Sequence, residues 1–231
     1  LKQDIVLVHG GGKHVDQWME KLGNQPTMID GRRVTDALSL ELAVMNYAGL
    51  INKSLVSSLQ ALKRNALGLS GADLRCITSV KRQHPTIDFG YVGDVTKVNS
   101  EVFQWLLQHQ VTPVCCAITA DQGGQLLNTN ADTIAAEIAS ALASMFRVSL
   151  WYCFEKKGVL ENVSDENSVV ASLTQEKYRE MLNRQLIHTG MLPKLKNCFD
   201  ALNAGVQKVY ITDYLGIQNI PIPSGTKISI Q

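Results

Sequence analysis

The feature that most constrains this chain is a short apolar run, Ile5-Val6-Leu7-Val8, that stops at His9-Gly10-Gly11-Gly12 and leads to Val15, Trp18, Met19 and Leu22. The β-branched run reads as a strand. The later apolar residues fall at i, i+3, i+4 and i+7, one face of a helix, which Gly23 ends. Strand, glycine turn and helix follow one another without a linker. Three glycines lack Cβ atoms, so a ligand can approach the main chain, and their N–H groups point outward beside a helix N-terminus, where negative charge is favoured. A tight strand-to-helix turn with no ligand is the plainer alternative. Neither the dinucleotide pattern GxGxxG nor a Walker A motif is present, because His14, not Ser or Thr, follows Gly12-Lys13.

The same alternation continues along the chain. Residues 27–35 read as a small hairpin turning at Asp30-Gly31. A helical pattern follows Asp36 (Leu38, Leu42, Met45), and a separate one follows Gly49 (Leu55, Leu59, Leu62). Residues 66–69 read as a buried strand, 74–98 as a hairpin excursion, 102–107 as a helix and 111–118 as one further buried strand. A loop at 121–124 precedes Asp132, which opens a long Ala/Ile/Leu helix to about residue 146. Then come a strand at 148–154, a charged loop at 155–158, and helices at 174–187 and 193–204 with Gly205 behind the second. Strands at 209–212 and 226–230 finish the pattern. Strands alternating with helices predict an α/β fold with a mainly parallel sheet.

Composition narrows the function. Lys plus Arg number 22 against 21 Asp plus Glu, a net charge of +1, so no bulk field draws the chain to nucleic acid or anionic lipid. No apolar stretch reaches membrane-spanning length and Leu1-Lys2-Gln3-Asp4 carries no signal-peptide hydrophobic region, so no membrane and a cytoplasmic location are expected. The five cysteines include no CxxC pair, and Cys115-Cys116 lies within an apolar run, which suits buried reduced thiols. His9, His14, His84, His109 and His188 show no ligand spacing, so no protein metal site is expected. The chain starts at Leu1 and enters a strand almost at once, as a protein missing its beginning would.

Several segments carry candidate chemistry. His-Gly-Gly-Gly also occurs as an esterase oxyanion hole, and Gly68-Leu69-Ser70-Gly71-Ala72 loosely imitates a nucleophile elbow. An elbow serine starts a helix, however, and Ile77, Thr78 and Val80 are strand-like. In Gly31-Arg32-Arg33-Val34-Thr35, adjacent arginines on a strand face opposite ways, so at most one can grip a carboxylate in a pocket. Asn128-Thr129-Asn130-Ala131-Asp132 holds more polar residues than one helix cap needs. Lys194 follows Gly190-Met191-Leu192-Pro193 at a helix start, where a cation is disfavoured unless it faces an anion.

Taken together, these segments resemble the amino acid kinase family, and within it the N-acetylglutamate kinase branch. The likeness covers nearly the whole chain. It runs through Val8-His9-Gly10-Gly11-Gly12, Gly31-Arg32-Arg33-Val34-Thr35, Gly68-Leu69-Ser70-Gly71-Ala72-Asp73, Gly90-Tyr91-Val92-Gly93-Asp94-Val95, Asn128-Thr129-Asn130-Ala131-Asp132, Gly190-Met191-Leu192-Pro193-Lys194 and Gly225-Thr226-Lys227-Ile228. Each is weak alone; their order is specific.

The resemblance implies a three-layer α/β/α sandwich with an open, mainly parallel sheet. It implies one domain over residues 1–231, with an N-acyl-glutamate part at roughly 1–147 and an ATP part at roughly 148–231. The implied reaction moves the γ-phosphoryl of ATP, with Mg²⁺, to the side-chain carboxylate of N-acetyl-L-glutamate, giving N-acetylglutamyl 5-phosphate in arginine biosynthesis. A homodimer is implied as well. Carried over, Gly11 and Gly12 offer backbone N–H groups to the phosphoryl group and the substrate. Arg33 holds the α-carboxylate and Asn128 the N-acylamino acid. Asp132 positions catalytic lysines, and Lys194 neutralises charge on the phosphoryl in transfer. The segment 155–160, with Lys157, Gly158, Val159 and Leu160, matches the nucleotide loop, and His188 and Thr189 add to it. Lys156 and Lys157 make that loop more basic than is usual in the family. The family also opens with a Lys-x-Gly-Gly strand that this chain lacks, and Lys2 does not replace it; a strand and helix before Leu1 are expected to carry it. The alternatives are an N-succinylglutamate kinase, a sibling acting on aspartate, glutamate, UMP or carbamate, and a non-catalytic ligand-sensing homologue.

Overall fold

The computed structural model describes residues 4–29, 32–162, 164–187, 189–218 and 224–231, and not the side chains of Arg32 and Thr189. Lys2, the expected Asp30-Gly31 turn and His188 lie outside the described residues. Two compact units result, Leu1–Ile134 and Ala135–Gln231.

In the first unit, β1 (Leu7–His9) ends at the glycine turn and α1 (Gly12–Lys21) begins there. Val15 and Met19 bury the inner face of α1, but Trp18 and Leu22 are 42% and 53% exposed, so the buried stripe is narrower than the apolar spacing suggests. β2 (Met28–Ile29) and β3 (Arg32–Arg33) pair antiparallel, with Met28 opposite Arg33. Asp36 then caps α2 (Ala37–Ala43), its carboxylate accepting the Ser39 N–H at 2.7 Å. The two helices expected on either side of Gly49 are in fact one continuous rod. A wide π-helical stretch, Val44–Ile51, carries α2 straight into α3 (Asn52–Ala61). Gly49 breaks nothing, because the residues flanking the stretch all keep right-handed helical angles.

β4 (Ala66–Leu69) follows, then the hairpin of β5 (Ile77–Lys81) with β6 (Gly93–Val98), and α4 (Ser100–Gln108). The run at 111–118 is two strands. β7 (Thr112–Cys116) lies between β1 and β4 in a wholly parallel sheet, while β8 (Ile118–Ala120) pairs with β5 and with β9 (Leu126–Asn128) in another. Residues 112–119 are all buried, and so the two halves read as one apolar segment. α3 packs on β4 and β7, and α4 on β7. The helix α5 (Ala131–Leu142) carries the chain across the unit boundary and stops four residues short of the expected end.

In the second unit, β10 (Ser149–Cys153) and β11 (Ser172–Thr174) precede α6 (Gln175–Asn183) and α7 (Leu192–Asn203). β12 (Lys208–Thr212), the short α8 (Tyr214–Ile217) and β13 (Thr226–Ser229) follow. The sheet order is β10-β12-β13-β11, parallel at both outer pairs and antiparallel between β12 and β13. α7 sits on β12 and β13, burying Leu195, Cys198 and Phe199 against Leu150, Val209, Ile211 and Ile228. The α/β class read from the sequence is the class observed. Among the described residues, no helix is long and apolar enough to cross a membrane.

One turn is strained. Leu74 and Arg75 both take left-handed angles (φ 52° and 47°) while the Asp73 carbonyl accepts the Cys76 N–H at 3.0 Å. Such a turn favours Asn followed by Gly. Leu74 is 63% exposed, so no core is lost by changing it. Replacing Leu74→Asn together with Arg75→Gly is expected to stabilise the fold by about 1–2 kcal/mol and to raise the melting temperature by roughly 2–8 °C in a thermal scan.

Candidate active site

In the first unit a circuit of contacts surrounds the glycine turn. A Cβ on Gly11 would stand 2.8 Å from two ring carbons of Tyr47 and closer still to Ile51 Cδ1, so only glycine fits there. A Cβ on Gly10 would lie 3.5 Å from Ala131 Cβ, which brings the first residue of α5 beside the turn that starts α1. Two helix N-termini therefore converge on the glycine turn. Asn130 is the residue that caps α5, accepting the Thr133 N–H at 3.1 Å, and this leaves Asn128 and Asp132 for other work. Asp132 lies in the first turn of α5 and is itself engaged in a contact. Asn128 donates from Nδ2 to Thr35 Oγ1 at 3.0 Å, and the main chain of Asn128 bonds to Tyr91, as that of Thr35 does. Thr35 is wholly buried two residues from Arg33. Arg33 closes the circuit, its Nη2 lying 3.8 Å from the Cβ position of Gly12 and against Asp16 Oδ1. Gly11, Gly12, Arg33 and Asn128 thus border one locality, with Asp132 following Ala131.

The guanidinium is only half satisfied. Arg33 Nη1 is buried and has no hydrogen-bond partner among the described residues. The Tyr47 hydroxyl lies 4.0 Å from the Cβ position of Gly12. Burial pushes it above the ordinary phenol value, against the pull of Arg33, so it stays a neutral donor.

His9 belongs to the support of the turn. Its Nδ1 donates to the Gly10 carbonyl at 2.9 Å, while Nε2 accepts from Asn52 Nδ2 at 3.1 Å. Asn52 also donates to the Val114 carbonyl at 2.8 Å, tying α3 to β7. Burial holds the imidazole below its ordinary value of 6.5. The folded chain therefore takes up a proton less readily than the unfolded one. Its stability is full above about pH 6.5 and declines below that. Melting temperatures measured between pH 7.5 and 5.5 should fall more steeply for the unmodified protein than for His9→Gln, which cannot be protonated there.

The esterase reading fails at Ser70. Both its N–H and its hydroxyl donate to Asp73 Oδ2, at 2.6 and 2.8 Å, forming a closed turn with no histidine in it.

In the second unit the candidate residues gather at the carboxyl ends of β10 and β12, where ligands of α/β sheets bind. Pro193 occupies the first turn of α7, and next to it Lys194 stands with Nζ 4.7 Å from the Tyr152 ring centroid and 5.5 Å from that of Phe154. Those ring faces offset the cost of a cation at a helix N-terminus. Phe154 N–H bonds to the Thr212 carbonyl at 3.0 Å, and the loop after it is pinned at Gly158, whose Cβ would come 2.6 Å from Thr226 Oγ1. Val159 N–H donates to that same oxygen at 2.8 Å and its carbonyl accepts from Val170. The side chains of Val159 and Leu160 are buried, so these two residues shape the loop from within. Lys156 pairs with Glu166 at 2.9 Å, whereas Lys157 is exposed. The main chain of Thr189 opens the short turn Thr189–Met191 that leads into α7.

A family model described as the amino acid kinase family matches residues 1–213. The chain belongs to the amino acid kinase family. An acetylglutamate kinase of Phocaeicola vulgatus is 49% identical over 207 residues, spanning 90% of this chain and 80% of the relative. One from Methanopyrus kandleri is 38% identical, spanning 93% and 87%. The solved structure of smu.665 from Streptococcus mutans superposes with a TM-score of 0.84 at 30% identity, covering 98% of this chain and 86% of that one. Carbamate kinase from Giardia lamblia, at 13% identity and a TM-score of 0.67 over 99% and 84%, shares the fold.

Sequence reading of this amino acid kinase missed Asp16, Tyr47, Tyr152 and Phe154, and gave Thr35 no role beyond its motif. Asp16 lies off the apolar stripe of α1 that the spacing marks, and Tyr47 sits within a rod that the apolar spacing cuts at Gly49. The aromatic pair could have been found, since a lysine at a helix start needs something to hold it.

Proposed function

We propose that this kinase transfers the γ-phosphoryl group of ATP to the side-chain carboxylate of N-acetyl-L-glutamate, forming N-acetylglutamyl 5-phosphate in arginine biosynthesis. The acceptor belongs to the first unit and the nucleotide to the second. The observation that carries the reading is the half-satisfied Arg33 at the edge of the glycine turn, since a buried guanidinium nitrogen without an acceptor is costly and a substrate carboxylate relieves that cost. The amide-bearing Asn128, held by Thr35, suits the N-acyl group.

The reacting carboxylate is already ionised at neutral pH, so no general base is needed. The work is electrostatic. Gly11 and Gly12 offer backbone N–H groups to the phosphoryl oxygens, Lys194 offsets the charge of a loose transition state, and Asp132 orients the lysines that share this task. Lys157, Gly158, Val159 and Leu160 form the nucleotide loop, Val159 and Leu160 by fixing its shape with their buried side chains, and His188 and Thr189 are assigned further contacts to the nucleotide. Mg²⁺ would come with the nucleotide and supply charge neutralisation on its phosphates; among the described residues no cluster of three His, Cys, Asp or Glu side chains is placed to hold it. A cytoplasmic homodimer completes the proposal.

The test is ADP release by the complete protein with N-acetylglutamate, N-succinylglutamate, glutamate, aspartate and UMP side by side. A kcat/KM highest for N-acetylglutamate is expected. Preference for another acceptor, or turnover of none, rejects the assignment.

A further inference from the structure

Arg33 is a long side chain on a two-residue strand, and β3 pairs with β2 alone among the described residues. A guanidinium mounted in this way samples many rotamers, and an anion that binds it must first order them. Asp16 removes that freedom. It lies one turn along α1 from Gly12 and sets Oδ1 against Arg33 Nη2, the arginine side chain being 12% exposed and the aspartate 36%. The guanidinium is thereby tied to the helix that begins at the glycine turn. Only one nitrogen is taken, for Nη1 stays buried and unpartnered among the described residues.

We propose that Asp16 is a positioning residue for the acceptor: it fixes Arg33 through Nη2 and reserves Nη1 for the substrate carboxylate, so that α1 sets the spacing between that carboxylate and the glycine turn. This rests on the acceptor reading given above. Two effects oppose each other here, since an anion at position 16 also repels a bound carboxylate. Paired with Arg33, however, the aspartate presents a dipole rather than a lone charge, and a dipole's field falls off faster. Losing the clamp frees the whole side chain, so positioning wins.

Steady-state kinetics of the complete protein test this with Asp16→Ala and Asp16→Asn, each alone and combined with Arg33→Ala. Asp16→Ala should raise KM for N-acetylglutamate about 10-fold, with kcat falling less than about three-fold and KM for ATP unmoved. Asp16→Asn keeps an oxygen at the Oδ1 position and should return KM to within about three-fold of the unmodified value. On the Arg33→Ala background neither change should add anything, because the residue acts through Arg33. The proposal is overturned by an unchanged or lowered KM in Asp16→Ala, by an equal rise on the Arg33→Ala background, or by Asn performing no better than Ala. Should Asp16→Ala melt early, the Asn variant decides. If the unmodified protein prefers another carboxylate acceptor, the acceptor assignment fails and the same comparison is made with that acceptor; turnover of none rejects both.

Discussion

Replacing Lys194 by alanine in the complete protein should lower kcat by ~10²–10³ while leaving the fold intact. The ammonium is held over two aromatic faces at the start of α7, where the helix dipole opposes it. A cation kept in so unfavourable a place is useful where negative charge gathers, and in phosphoryl transfer it gathers on the migrating group. Because that charge is greatest in the transition state, kcat should move more than the KM of either substrate. Lys194→Met, which keeps the stem on the rings, should be nearly as impaired as Lys194→Ala. Turnover near that of the unmodified enzyme would remove Lys194 from the chemistry and leave it a packing residue.

Arg33→Ala should act on the other kinetic constant, raising KM for N-acetylglutamate by about 10² with a smaller change in kcat. On the proposed reading the guanidinium would grip a part of the acceptor that does not react, so its contribution would be present before and during transfer alike. Arg33→Lys keeps the charge but not the planar fork, and should recover only part of the loss. An unchanged KM in both variants would return Arg33 to a simple ion pair with Asp16.

Much of the candidate site is legible in the sequence because its parts are local. The glycine turn, the Arg-Val-Thr strand, the Asn-Thr-Asn-Ala-Asp run and the Pro-Lys helix start each announce themselves within a few residues. What joins them was not legible. The bond from Asn128 to Thr35 spans 93 positions and that from Arg33 to Asp16 spans 17, and no spacing rule reaches so far. The fold shows the same division. Periodicity finds strands such as β4 and helices such as α4, but it reads β7 and β8 as one strand, because burial on both sides hides the point where the chain changes sheets. It also misses β9 and β11, each three residues long and too short to show a period.

The widened helical stretch at 44–51 has a consequence for insertions and deletions. Removing one residue there would let the rod relax to ordinary winding, because the wide turns hold the surplus residue, and the helix beyond would keep roughly the same face. Asn52 would then still reach the Val114 carbonyl and the His9 ring. A one-residue deletion here should therefore be tolerated far better than one in the ordinary winding of α2, which would turn the two ends of the rod against each other by about 100°.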